Sequence, residues 1–387
     1  MTYTAIELFC GIGGFRLACD DLQIKTIWAN DIDPKAAIVY QSQFGSEGFH
    51  LGDLRTFFDE IPSHDILTAG FPCQPFSSAG KKMGIHDPRG TLFSEIVKVI
   101  DQHRPQFFVL ENVKRLLSMQ NGSHFATILD AFASLKYFIE WRVINAAWFG
   151  LPQNRERVLI VGCRDLDNVS YLYANPDLDD HSQSQFVPLN TDQLQAIETH
   201  GKRFASWGVA KDGMFFDQNL HYSCIGHTHR MKVRDILEDH PDEQFFFTED
   251  TLARIQDSEK VNRYFNGVEI LYNQKGGARM GYSIFGINGL APTLTSTTSR
   301  HYERYQVGSE YRRLTNIEYA RLQGFPDRHC REIAPYHQYA LLGNAVPPAM
   351  VKWVLRRMID GVYSPMIEGT YPWQQQSEQQ LELFQLV

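Results

Sequence analysis

The rhythm of the first 165 residues limits the fold more than any other feature of this chain. Short apolar runs alternate with helical patterns, as repeated strand-helix units do. Strands are expected near Ala5 to Phe9, Thr26 to Asn30, Asp65 to Ala69, Phe107 to Leu110, Glu140 to Asn145 and Arg157 to Gly162. Helices are expected between them, for example at Pro34 to Phe44, Thr91 to His103 and His124 to Tyr137. Such alternation predicts an α/β fold, a mostly parallel sheet covered on both faces.

From about Asp165 the rhythm breaks into an Asp-, Ser- and Gln-containing stretch. A long region of weak periodicity follows, rich in aromatic, His and Gly residues, and reads as a second domain. Regular signals return at Asn316 to Gln323, a helix stopped by Gly324 and Pro326, and at Ala349 to Ile359, a helix after two prolines. The Gln-rich tail, Trp373 to Gln380, is expected to fray. At 387 residues the chain is long enough for two to three domain-sized units. It has no apolar run that would span a bilayer and no basic-then-apolar leader, so no membrane role is expected and a cytoplasmic location is. The six cysteines show no CxxC pair, which fits a reduced compartment and no disulfide or zinc framework. CIGHTH, residues 224 to 229, has ligand-type side chains but no partner pair, so no metal is expected. The net charge of −8 confines any nucleic-acid contact to a local patch.

In an open parallel sheet, ligands bind beyond the carboxyl ends of the strands. The special residues of this chain fall at those ends. FCGIGGF, residues 9 to 15, follows the first strand and supplies Gly11, Gly13 and Gly14 for a tight turn and close backbone approach, although a glycine turn without a ligand would look the same. Asp31 ends the second strand about 20 residues past the glycines, where a carboxylate can take ribose hydroxyls. Asp33 can serve as a helix cap, and Asp53 in GDL offers another carboxylate near the same edge. Together they describe a pocket for a nucleoside-bearing cofactor.

The fourth segment runs into AGFPCQPFSSAG, where Pro72 and Pro75 stiffen the backbone around Cys73 and hold it at a strand end. LENV, residues 110 to 113, ends the next strand, so Cys73 and Glu111 should face each other. A thiolate beside a carboxyl group suits addition to an electron-poor ring, with the acid supporting the proton gained by a ring nitrogen. In FGLPQNRERVLIVG, residues 149 to 162, Arg155 and Arg157 are two apart, a spacing that shares one strand face and allows both guanidiniums to point into one site.

FCGIGGF, NDIDP, GFPCQPFS, ENV and QNRER, followed by RRLTNIEYARLQGFPD (residues 312 to 327) and LLGNAVPPAM (residues 341 to 350), together resemble the cytosine-C5 DNA methyltransferase family, in its usual motif order. The resemblance implies a Rossmann-like S-adenosylmethionine-dependent methyltransferase fold with a smaller target-recognition domain. It implies catalytic and cofactor-binding residues within 1–181, target recognition within 182–335, and a segment 336–387 that returns to the first strand. S-adenosylmethionine would be held by Phe9, Gly11, Gly13, Gly14, Asp31, Ile32, Asp53, Leu54, Asn344 and Val346. Cys73 would be the nucleophile, Glu111 would hold cytosine at N3 and its amine, and Arg157 with Arg155 nearby would fix the ring.

The same resemblance makes double-stranded DNA the partner, met as a monomer, with the base flipped out because a stacked ring exposes no face to a thiol. It also implies pairing with a restriction endonuclease. Between Leu271 and Arg313, basic residues outnumber acidic ones and are interleaved with tyrosines, a composition suited to phosphate and base contacts. Arg279, Arg300 and, in APTLT, Thr293 or Thr295 are the expected DNA contacts there, with Gln74 and Ser77 beside the nucleophile. A related transfer-RNA branch usually carries a Cys-Phe-Thr element that this chain lacks. An inactive scaffold leaves Cys73, Glu111 and Arg157 without a purpose, and a nicotinamide oxidoreductase gives no role to Cys73 with QNRER.

Overall fold

Because each strand of the first half alternates side chains between two apolar layers, the sheet carries a core on each face. The computed structural model describes residues 2–72, 92–164, 187–189, 203–219, 231–256, 258–273, 283–295 and 303–360. Its large sheet begins with β1 (Thr4–Leu8), β2 (Lys25–Asp31), β3 (Phe49–Leu51), β4 (Ile66–Gly70) and β5 (Phe107–Val113). It continues with β6 (Phe138–Asn145), β7 (Glu156–Cys163), β8 (Val187–Pro188), β9 (Trp207–Lys211) and β10 (Met214–Gln218). The order across the sheet is β3-β2-β1-β4-β5-β7-β6-β9-β10-β8. Phe107 and Val109 enter one core while Phe108 and Leu110 enter the other. This two-sided burial explains why β5 reads as a continuous apolar run before Glu111.

Helices α1 (Gly14–Asp21), α2 (Pro34–Phe44), α3 (Leu92–His103) and α4 (Ser123–Ser134) follow β1, β2, β4 and β5. The boundaries of α2 follow from local chemistry. Asp33 caps it by accepting from the Lys35 amide at 2.8 Å, Pro34 sits in its first turn, and Gly45 ends it with a positive φ. Phe15, Ala18 and Cys19 of α1 bury against one face of the sheet, whereas Ile96 of α3 and Ile128 of α4 bury against the other.

The five strands from β3 to β5 are mutually parallel, as expected. Beyond them the pattern changes, because β7 lies antiparallel between β5 and β6. The link from Asn145 to Glu156 is too short for the crossover of a dozen or more residues that a parallel return needs. β9 and β10 then extend the sheet from β6 as a further antiparallel pair. Residues 203–219 were expected to belong to target recognition, but they complete this sheet. Trp207 and Val209 join one of its cores and Phe204 and Phe215 the other.

A second sheet contains β11 (Glu259–Phe265), β12 (Val268–Asn273), β13 (Ser283–Phe285), β14 (Arg304–Val307) and β15 (Glu310–Arg312), in that order. Helices α5 (Glu249–Gln256), α6 (Asn316–Gln323), α7 (Pro335–Asn344) and α8 (Pro348–Asp360) accompany it or follow it. Thr315 and Glu318 form a reciprocal capping box at the start of α6, and Gly324 ends that helix in the left-handed region. The chain then returns, and α8 packs on α1. Lys352 reaches Asp21 across that contact at 3.0 Å.

One acid inside this frame is only partly compensated. Glu7 on β1 is buried, its Oε2 accepts from the Tyr40 hydroxyl at 3.1 Å, and its Oε1 has no hydrogen-bond partner. Burial pushes its pKa up to about 8 from an ordinary value of 4.5. The folded chain therefore holds a proton that the unfolded chain releases, so the contribution of Glu7 to stability declines as pH rises from 4.5 towards 8. Glu7→Gln should reduce this decline: its urea midpoint should exceed that of the unsubstituted protein by more at about pH 8 than at about pH 5. An equal difference at both would show that Glu7 is ionised in the fold.

Candidate active site

The ends of the first three strands are laced together by side chains. The Gly11 amide donates to Asp31 Oδ2 at 2.7 Å, and the Asp33 amide donates to Asp31 Oδ1 at 2.8 Å. Asn30 donates to the carbonyls of His50 and Gly52, which ties β3 to β2. Burial raises the pKa of Asp31, while these amides act in the opposite direction. Asp53 caps the short turn Leu54–Thr56 and takes the Arg55 guanidinium, which holds its carboxyl below the usual range.

Each glycine of the turn has its own reason. Gly11 and Gly13 have positive φ, and a Cβ on Gly13 would lie 2.2 Å from the Phe44 ring. A Cβ on Gly14 would lie 2.3 Å from the Val346 carbonyl oxygen, so the returning chain presses directly on the turn. A Cβ on Gly11 would meet nothing within 4 Å. The backbone is therefore open there to an incoming group. Ile32 is 66% exposed and Leu51 49% exposed, which leaves two apolar side chains uncovered beside the carboxylates.

Open glycine backbone, an apolar platform and two carboxylates match the sugar, base and amino groups of S-adenosylmethionine. The Leu54 side chain is buried in the core. Asn344 is exposed at the end of α7, and Val346 is buried against Gly14. Phe9 is half-buried at the end of β1 with a positive φ of 53°.

Next along the edge, β4 and β5 pair in register so that Gly70 lies opposite Glu111. A Cβ on Gly70 would lie 3.5 Å from Glu111 Oε2, in ordinary contact with the carboxylate. Arg157 on β7 reaches back across the sheet, and its Nε meets Glu111 Oε1 at 2.8 Å. Both side chains are nearly buried, the setting in which a charge pair is held in one geometry. Asn112 donates to the Phe71 carbonyl at 2.9 Å. That bond fixes the chain two residues before Cys73. Cys73 itself lies outside the described residues, as do Gln74, Ser77, Arg279, Arg300, CIGHTH and the tail.

Arg155 departs from the expected pairing with Arg157. It precedes β7, is fully buried, and donates to the carbonyls of Leu294, Gly343 and Ala345 at 2.8 to 3.0 Å. Burial, and then the charge of Arg157, push its pKa down, yet a guanidinium remains charged in proteins and these carbonyls replace its water. Thr293 donates to the Asn154 carbonyl at 2.6 Å, and Thr295 is exposed. His329 was not legible as a site residue: its Nε2 donates to the Ile12 carbonyl at 2.6 Å and so braces the glycine turn from the far end of the chain. Among the described residues, no group of three or more His, Cys, Asp or Glu side chains could hold a metal, and no helix is long and apolar enough to cross a membrane.

The open α/β sheet, with glycine backbone and two carboxylates at its carboxyl edge beside a buried carboxylate–guanidinium pair, is a Rossmann-like methyltransferase fold. Residues 3–360 match the C-5 cytosine-specific DNA methylase family, and the chain belongs to it. It is similar to the type II methyltransferase M.DsaV of Dactylococcopsis salina, 31% identical over 92% of this chain and 85% of that protein. It is also similar to M1.ScrFI of Lactococcus lactis subsp. cremoris, 32% identical over 92% of this chain and 78% of that protein. The crystal structure of S. pombe Dnmt2 methyltransferase shares the fold, with a TM-score of 0.57 and 16% identity over 92% of this chain and 98% of that one. The protein is a DNA cytosine-5 methyltransferase that uses S-adenosylmethionine.

Asn112→Ala should destabilise the fold by about 1–3 kcal/mol, because it leaves the Phe71 carbonyl without its buried donor. It should also lower kcat more than it raises KM, by freeing the chain at Phe71. Denaturant melts and steady-state kinetics check both, and an unchanged kcat would separate this bond from loop placement.

Proposed function

We propose that Cys73 is the nucleophile, Glu111 the acid that holds cytosine, and Arg157 the group that fixes both. The observation that carries this assignment is the Glu111–Arg157 pair, in register with Gly70 three residues before Cys73. Phe9, Gly11, Gly13, Gly14, Asp31, Ile32, Asp53, Asn344 and Val346 form the cofactor pocket, with Leu54 contributing through its backbone. S-adenosylmethionine supplies an electrophilic methyl group there.

Carbon 5 of cytosine is too weak a nucleophile to accept that group unaided. The Cys73 thiolate adds to carbon 6, and the electron pair of the 5,6 double bond moves onto carbon 5 through the ring. N3 gains a proton from water by way of Glu111 as this charge develops, while Arg157 keeps the carboxyl group oriented. After carbon 5 is methylated, water takes its proton, the freed electron pair restores the 5,6 double bond as Cys73 leaves as thiolate, and N3 gives up its proton through Glu111. The ring reaches Cys73 only when it is turned out of the duplex.

The second sheet and the segment ending at Thr293 and Thr295 form the recognition surface, together with Gln74, Ser77, Arg279 and Arg300. The protein acts as a monomer in the cytoplasm, as the modification partner of a restriction endonuclease. The similarity to type II methyltransferases supports this last reading.

Two experiments test the assignment. Expression in a bacterial host lacking cytosine methylation should mark one short motif throughout the genome with 5-methylcytosine, and Cys73→Ser should abolish the mark. A duplex with 5-fluorocytosine at the marked position should trap an adduct on Cys73, because fluorine cannot leave as the proton does. An adduct on another cysteine would defeat the nucleophile. Glu111→Gln should lower kcat by about 10²–10⁴-fold, the range for a lost general acid.

A further inference from the structure

The mechanism leaves Gln153 and Arg155 unused, although both are fully buried and together hold several separate parts of the chain. Gln153 Oε1 accepts from the Leu294 amide at 3.1 Å, and Arg155 Nη1 donates to the Leu294 carbonyl at 3.0 Å. Both backbone groups of one residue are thus gripped by one short segment. Arg155 Nη2 bridges the carbonyls of Gly343 and Ala345 at 2.9 and 2.8 Å. Gln153 Nε2 donates to the Leu322 carbonyl at 3.1 Å and to Gln323 Oε1 at 3.3 Å. Gln323 in turn donates to the Leu342 carbonyl. Asn145 accepts from the Arg155 amide at 3.1 Å and donates to Asn154 Oδ1 at 2.7 Å, which pins the segment to the end of β6.

The two ends of this network point to different ligands. Leu294 lies between Thr293 and Thr295, at the edge assigned to DNA. Ala345 precedes Val346, whose carbonyl presses on Gly14 in the cofactor turn. Two residues beyond Arg155, Arg157 holds Glu111. Arg155 is fully buried, so a shift at one carbonyl leaves a buried charge short of an acceptor. A displacement of residues 343–346 is therefore opposed by the same guanidinium that holds Leu294.

We propose that Arg155, with Gln153, is a positioning residue that couples cofactor binding to DNA binding, and that it does not contact the cytosine. This rests on the assignment of 344–346 to the cofactor pocket and 293–295 to the DNA edge. Cofactor binding fixes the 343–346 carbonyls, Arg155 transmits that order to Leu294, and the recognition segment is preorganised for the duplex. By linkage the effect is reciprocal.

The test measures the affinity of a fluorescent duplex, carrying the motif read from the methylated genome, by anisotropy with and without saturating S-adenosylhomocysteine. The unsubstituted protein should bind the duplex at least about 5-fold more tightly with the cofactor product, a factor typical of coupled sites. The duplex should tighten S-adenosylhomocysteine by the same factor in calorimetry. Arg155→Lys keeps the charge but cannot bridge three carbonyls, and Gln153→Met keeps the volume but loses the amide. Each should bring the factor to within about twofold of one, while a folded variant still binds each ligand alone.

A purely structural role would weaken both single affinities and leave the ratio intact. An intact ratio in a folded variant, or a ratio near one in the unsubstituted protein, overturns the proposal. If the unsubstituted protein fails to bind S-adenosylhomocysteine at all, the pocket assignment fails and the coupling fails with it.

Discussion

A sheet buried on both faces has only its strand ends left for polar chemistry. Each strand of the first half surrenders its alternating side chains to two apolar layers, so Asp31, Asp53 and Glu111 all appear where a strand runs out. The site is a row because the strands are a row. β2, β1, β4, β5 and β7 present, in turn, Asp31, the glycine turn, Gly70, Glu111 and its partner Arg157. Hydrogen bonds between neighbouring ends, such as Gly11 to Asp31 and Asn112 to Phe71, convert that row into one surface.

The polar groups behind the edge obey a different rule. Buried charges persist only where every donor finds an acceptor, or where neutralisation relieves the cost. Arg312 and Glu318 illustrate the first outcome, with two bonds of 2.7 Å in the interior near α6. Glu7 illustrates the second, because its raised pKa leaves it uncharged near neutrality. Arg155 falls between the two: backbone carbonyls take both its terminal nitrogens in place of a carboxylate, while its Nε is buried without a partner.

How much of this was legible follows from the range of the signals. The extent of α2 could be read to the residue because Asp33, Pro34 and Gly45 act within one turn of it. The parallel half of the sheet was legible from its two-sided apolar runs. The antiparallel insertion of β7 was signalled only by a short link, and the membership of β9 and β10 in the first sheet by nothing local at all. Among site residues, Glu111 and Arg157 were each legible by their places at strand ends, but the ion pair between them was not, since it depends on β7 running antiparallel beside β5. Arg155 shares the spacing but not the environment: spacing places a Cα, while its partners lie about 140 to 190 residues away in sequence. His329 was hidden for the same reason, as nothing near RHC announces a bond to Ile12.

That bond spans 317 residues, and Val346 presses on Gly14 across a comparable stretch. A ribosome delivers the N-terminal strands first, at about 5–20 residues per second, and they can begin to pair as they emerge. The glycine turn nevertheless lacks its outer wall until the last helices are made. The nascent chain therefore carries the motifs of an enzyme long before it has a finished cofactor pocket. The wall of the glycine turn is complete only once His329 and Val346 have been made.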